Sequence, residues 1–215
     1  MTLSADKPLV VLLHGLARTS LSMRHMSAAL REGGFETWSR TYPSRRSSIA
    51  EAASEVASQL AREARGRPLY AVTHSMGGIL VRHMRHPDLD WRRIVMLAPP
   101  NQGSQLASLM KESALFRWFY GPAGAELASP GAWPDPPAPF LVIAGTRARA
   151  LVNPTSWTVA RVLPASEAHD GTVRVEETKL AGMSAFETVD ATHTSIMNHA
   201  QAQGLALKFL RDGGL

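Results

Sequence analysis

Ser75 stands in the run Thr73-His74-Ser75-Met76-Gly77-Gly78, after the apolar stretch Leu69–Thr73 and before a helical pattern. A serine at a tight strand–turn–helix junction carries its Oγ out above the sheet, the setting of a nucleophile elbow. Such a turn needs small residues two positions to either side, because the backbone folds sharply and the helix passes close to the strand. Gly77 meets that need downstream; upstream Thr73 stands where glycine is usual and crowds the turn. Attack on an ester carbonyl also needs two backbone N–H groups aimed at the developing oxyanion. Met76, next after the serine, supplies one, and Leu16 in His14-Gly15-Leu16 is the natural second. Gly15 lets the backbone approach a substrate, and His14 reads as a pin for that loop, not as a base.

A serine hydroxyl needs a base, and the base needs an acid to orient it. Further along lie His169-Asp170-Gly171-Thr172-Val173 and Ala191-Thr192-His193-Thr194-Ser195. Asp170-Gly171 is a turn signal, so its carboxylate can project from a loop. His193 follows the last strand candidate. Both positions fall outside the carboxyl ends of strands, where the crevice of an open α/β sheet lies. Asp190, three residues before His193, is a second candidate for the acid. His74 is expected to point away from the nucleophile. His25, His83 and His86 read as surface residues, and His169 and His199 as bystanders near the site. No pair of histidines has metal-ligand spacing with a carboxylate nearby, so the expectation is no metal and no cofactor.

The elements that must hold these residues alternate between short apolar runs and amphipathic stretches, the pattern of an α/β sheet. Strands are predicted at Leu9–Leu13, Phe35–Tyr42, Leu69–Thr73, Arg93–Ala98, Phe140–Ala144 and Ala185–Val189. The first is apolar throughout, as a parallel strand buried on both faces must be. Helices are predicted over Ser20–Arg31, over Ser47–Arg65, after Ser75 as far as Pro87, and over Met197–Arg211 before Gly213-Gly214. About forty residues separate the fourth and fifth strands, well beyond a usual loop. The stretch 101–138 therefore reads as a lid-like insertion within a single domain spanning 1–215. Its Leu115, Phe116, Trp118, Phe119 and Trp133 make an apolar, aromatic surface suited to acyl chains; the other reading is that they dock the segment onto the sheet.

With these landmarks in order, the chain resembles the α/β-hydrolase superfamily, in particular small bacterial lipases and esterases. The likeness rests on His14-Gly15-Leu16, His74-Ser75-Met76-Gly77-Gly78, Asp170-Gly171-Thr172-Val173 and Val189-Asp190-Ala191-Thr192-His193-Thr194. Pro100-Asn101-Gln102-Gly103-Ser104 also resembles the turn after the nucleophile-side strand in lipase-like members. The resemblance implies a mostly parallel sheet of about six strands with helices on both faces. It also implies a Ser75–Asp170–His193 triad with an oxyanion hole from Leu16 and Met76. Members share this machinery without sharing a substrate.

Composition narrows the rest. The chain has 215 residues, of which 45% are hydrophobic and 19% charged, too apolar for a disordered chain. With no cysteine it has no disulfide, no thiolate metal site and no cysteine nucleophile. Of the 23 basic residues behind the net charge of +5, 19 are arginines, in scattered pairs such as Arg45-Arg46 and Arg92-Arg93, a solvated surface and not a nucleic-acid footprint. Apolar runs are strand-sized, and the first residues lack signal-peptide architecture, so a cytoplasmic protein without stable membrane insertion is expected. The expected partner is a small-molecule, lipid or polymeric ester. An acyltransferase using the same triad, or a catalytically silent binding module on this fold, are the alternatives.

Overall fold

The computed structural model describes residues 8–110, 114–128, 133–148 and 167–215, with the backbone alone described at 106, 110 and 114–120. Six strands make one sheet: β1 (Leu9–Leu13), β2 (Glu36–Ser39), β3 (Pro68–His74), β4 (Asp90–Leu97), β5 (Phe140–Gly145) and β6 (Ala185–Val189). Their order is β2-β1-β3-β4-β5-β6, and all five pairings are parallel. Around the sheet run α1 (Arg24–Glu32), α2 (Ile49–Ala64), α3 (Met76–His83), α4 (Gln105–Met110), α5 (Ala114–Ala128), α6 (Val175–Thr178) and α7 (Ala200–Asp212).

Alternate residues of each strand feed two cores. Leu9, Val11 and Leu13 pack with α2 and α3, whereas Val10 and Leu12 pack with α1 and α7. This is why β1 shows no polar position: both of its faces are covered. Strand order reverses at β1, since the chain leaves it toward β2 and returns on its other side as β3. The crevice outside the carboxyl ends of β1 and β3 is therefore the topological switch point where open α/β sheets bind ligands.

Several boundaries differ from the periodicity. β2 ends at Ser39 instead of Tyr42 because Tyr42 leaves the sheet to stack on His14, with ring centroids 3.9 Å apart. β4 begins three residues early, at Asp90, and a register shift between Leu69 and Tyr70 accommodates the longer pairing. The first predicted helix opens as a 3₁₀ turn, Ser20–Met23, and the last is split into a 3₁₀ turn, Ile196–Asn198, and α7. α2 starts at a capping box, with Ser48 and Glu51 satisfying each other's backbone N–H groups. Between β4 and β5, α5 is broken at Gly121, whose φ of 62° and close approach to the Arg45 carbonyl leave no room for a side chain. Among the described residues, no helix is long and apolar enough to cross a membrane.

Candidate active site

Ser75 joins β3 directly to α3, and it does so with φ 53° and ψ −124°, a conformation that non-glycine residues rarely adopt. Its N–H donates to Leu97 O at 2.9 Å, anchoring the turn to β4. A Cβ on Gly77 would lie 2.6 Å from Leu13 O, so only glycine lets α3 pass this close to β1. Thr73 lies beside Gly78, where a Cβ would be 3.4 Å from Thr73 Oγ1, an ordinary contact, and 2.9 Å from Pro99 Cβ. The second glycine of the pair is thus required chiefly by the close approach of Pro99.

Met76 is the first residue of α3, so its N–H is among those an α-helix leaves without an internal partner. Leu16 follows Gly15, whose own Cβ would touch Ser75 Cβ at 3.2 Å. His14 shapes this loop: Tyr42 N–H donates to His14 Nε2 at 3.2 Å, the His14 Nδ1–H faces Gly15 O at 2.8 Å, and Tyr42 Oη donates to His14 O. Burial holds the His14 pKa below its ordinary value, which keeps the ring neutral and this bonding pattern intact. Burial likewise pushes the Tyr42 phenol upward.

His193 Nε2 lies 3.0 Å from Ser75 Oγ, and His193 Nδ1 lies 2.7 Å from Asp170 Oδ2. With the Nδ1 proton given to the carboxylate, Nε2 carries the lone pair and accepts from the serine hydroxyl. The other carboxylate oxygen, Asp170 Oδ1, accepts from Thr172 N–H at 2.9 Å and Val173 N–H at 2.8 Å. Asp170 is 2% exposed, whereas Ser75 and His193 retain 9% and 8%, so the serine end meets solvent and the acid end does not. Asp190 faces elsewhere: it is exposed and bound to Arg147, with Nε 3.0 Å from Oδ1, and that guanidinium holds its carboxyl below the ordinary range.

Two residues near this line carry roles that their sequence positions do not announce. His74 does not point away. Its Nε2–H donates to His193 O at 2.9 Å, and its ring lies 4.9 Å from the His193 ring. Burial, reinforced by the nearby Arg18 guanidinium, keeps the His74 pKa well below the ordinary histidine value. Gly145 ends β5, where a Cβ would lie 2.6 Å from Ala191 O and 2.8 Å from Asp170 Cβ. A glycine closing an apolar strand is the one signal that could have marked it.

A buried polar hub sits behind the elbow. Arg82 on α3 donates to Pro134 O at 2.6 Å, Trp133 O at 3.1 Å and Asn101 Oδ1 at 3.1 Å, while Asn101 Nδ2–H donates to Thr178 O at 2.8 Å. Trp133 lies under the Arg82 guanidinium at 5.7 Å, so it docks the returning segment onto α3. The side chains of Leu115, Phe116, Trp118 and Phe119 lie outside the described residues. Among the described residues, no group of three or more His, Asp or Glu could hold a metal ion.

A family model described as "Alpha/beta hydrolase family" matches residues 10–206. Among curated proteins, none matches the chain significantly. Solved structures do. The mature form of a Bacillus licheniformis lipase superposes with a TM-score of 0.78 at 19% identity, covering 99% of this chain and 94% of that one. The propeptide form of the same lipase gives 0.75 at 21% identity, covering 90% of this chain and 47% of that one. A metagenomic carboxyl esterase gives 0.67 at 19% identity, with 90% and 66% covered. At such identities the likeness is one of fold.

Proposed function

The chain belongs to the alpha/beta hydrolase family, and from that premise we propose that it is a serine carboxylic-ester hydrolase working through an acyl-enzyme on Ser75. The observation that carries this reading is the continuous hydrogen-bonded line from Ser75 Oγ through His193 to Asp170. Ser75 Oγ attacks the ester carbonyl as His193 Nε2 takes its proton, and Asp170 stabilises the imidazolium that forms. The N–H groups of Leu16 and Met76 receive the oxyanion, each worth about 3–4 kcal/mol in comparable sites. The imidazolium then protonates the departing alkoxide. A water that gives its proton to the same Nε2 hydrolyses the acyl-enzyme and releases Ser75.

On this reading residues 1–215 form one domain, with 101–138 as its insertion. Leu115, Phe116, Trp118 and Phe119 of that insertion supply apolar contacts for the acyl chain. An insertion this short leaves the site open, which favours short to medium acyl esters. A binding module would need a broken triad, and the intact line speaks for chemistry.

The test is labelling by a fluorophosphonate, located by mass spectrometry, together with hydrolysis of p-nitrophenyl esters of graded acyl length. Modification at Ser75 with turnover of the shorter esters is the expected result. Label on another residue, or none, overturns the nucleophile.

A further inference from the structure

The net charge of +5 has no part in ester chemistry, and it is not evenly spread. No Asp or Glu occurs from Pro8 to Arg31 or from Thr37 to Ala50, stretches that carry Arg18, Arg24, Arg31, Arg40, Arg45 and Arg46. Arg40 is paired with Glu63 at 3.0 Å, and Arg31 donates to Thr37 Oγ1. Arg18, Arg24, Arg45 and Arg46 lie on the segments that follow β1 and β2, Arg24 with its Nε–H on His25 Nε2 at 3.1 Å, and the fold stitches those segments into one rim. Ala17 N–H donates to Ser44 Oγ at 3.1 Å, and Ser20 N–H donates to Thr41 Oγ1 at 3.1 Å. The Gly121 kink of α5 closes against the Arg45 carbonyl, extending the rim toward the segment between β4 and β5.

Arg24, Arg45 and Arg46 are exposed and Arg18 is half-buried. Of the acids near these segments, Glu51 bonds Ser48 and Glu126 accepts from Ile49 N–H at the start of α2, and Glu36 pairs with Arg67. Between Arg18 and Arg24 stands Leu21, 70% exposed, the most exposed large apolar side chain among the described residues. Leu109 on α4 is next at 57%, and α4 also follows the carboxyl end of a strand. A lone exposed leucine needs no explanation. One set among arginines at the mouth of a site has the makings of a peripheral anchor, with cations for phosphate headgroups and an apolar side chain for the acyl boundary.

We propose that the rim carrying Arg18, Leu21, Arg24, Arg45 and Arg46 docks the chain peripherally on an anionic lipid surface, with the Ser75 site facing that surface. Delivery of an ester from the bilayer to Ser75 rests on the hydrolase reading; the docking does not. Sedimentation of the full chain carrying Ser75→Ala with phosphatidylcholine vesicles, and with vesicles mixing phosphatidylcholine and phosphatidylglycerol, tests it. The expected result is binding to the mixed vesicles alone, released near 1 M salt, where the screening length falls to about 3 Å.

Replacing Arg24 and Arg46 by Gln is expected to lower partitioning about 25-fold, at about fivefold for each arginine lost. Leu21→Ser lowers it again. The pair Arg62→Gln and Arg92→Gln removes the same charge at the opposite end of the sheet and leaves partitioning unchanged. Equal binding to pure phosphatidylcholine, no loss from the rim pair, or an equal loss from the distal pair overturns the proposal. So does a rim that serves a soluble anion instead: no vesicle binding, with a KM for p-nitrophenyl hydrogen succinate that rises in the rim pair. Because the binding arms use the Ser75→Ala chain, their failure leaves the hydrolase reading standing, and an inert wild-type chain leaves the binding readable.

Discussion

The two ends of the sheet use unusual backbone differently. At the carboxyl edge Ala17, Ser75 and Ala98, after β1, β3 and β4, have φ of 55°, 53° and 46° without being glycine. At the opposite edge, positive φ falls mainly on Gly34, Gly66 and Gly182, where a Cβ would meet nothing within 4 Å. Arg65, the non-glycine there, merely ends α2 in the left-handed conformation that commonly stops helices. Gly213 apart, which approaches Arg93 Nη2 at 3.1 Å, left-handed conformation thus falls in open space at that edge, whereas the buried Ser75 and Ala98 adopt it under cover at the other. Crowded strain, about 1–3 kcal/mol per residue, persists only where surrounding contacts over-determine it. Ser75 N–H on Leu97 O and Ala98 N–H on Ile143 O at 2.8 Å are such contacts.

If that contrast is right, changes to the Ser75–His193–Asp170 line and the residues packed on it should cost rate, and changes at the other edge only stability. Ser75→Ala should lower kcat by about 10⁶, and steady-state turnover above a hundredth of wild type would break the assignment. Asp170→Asn should lower kcat by about 10⁴, because the wrong tautomer faces the serine. Asp190→Asn should leave kcat near wild type, and a larger loss there would move the acid. Gly145→Ala drives a methyl into Asp170 and Ala191 O, with an expected loss of about 10²-fold in kcat and about 1–3 kcal/mol in stability. Kinetics and urea denaturation on one preparation read both.

At the opposite edge, Gly182→Ala puts a Cβ on a φ of 79° in open space. It should cost about 1–2 kcal/mol of stability with kcat/KM unchanged; a fall in kcat/KM would dissolve the contrast. The smallest effect concerns pH. His74 and His14 are held neutral when folded, so below the ordinary histidine value of about 6.5 the unfolded chain binds more protons. Their contribution is complete above that pH and is lost as the pH falls. Unfolding midpoints should therefore drop on acidification, and His74→Phe should flatten the slope.

Much of the scaffold was legible in the sequence because its cause is local. A buried parallel strand must be apolar at every position, as Leu9–Leu13 is, and an amphipathic helix must repeat near 3.6, as α2 does. The sequence carries β2 on to Tyr42 because Thr41 and Tyr42 are β-branched and aromatic, while the contact that draws Tyr42 away comes from His14, 28 residues earlier. The 3₁₀ openings of the first and last helices leave no mark in the sequence because the apolar period continues through them. The direction of His74 is not legible locally, since its partner is a backbone carbonyl 119 residues away.

The sequence by itself determined the candidate nucleophile, the two loops able to supply oxyanion donors, and the order of base and acid candidates. Each of these follows from a residue type beside a strand end. Only the tertiary structure decided that Asp170 and not Asp190 comes to His193, that Gly145 makes room for the meeting, and that arginines from two separate loops share one rim. Those outcomes depend on where loops distant along the chain close on one another, and side-chain direction at such closures is set by packing across the sheet, which no local pattern encodes.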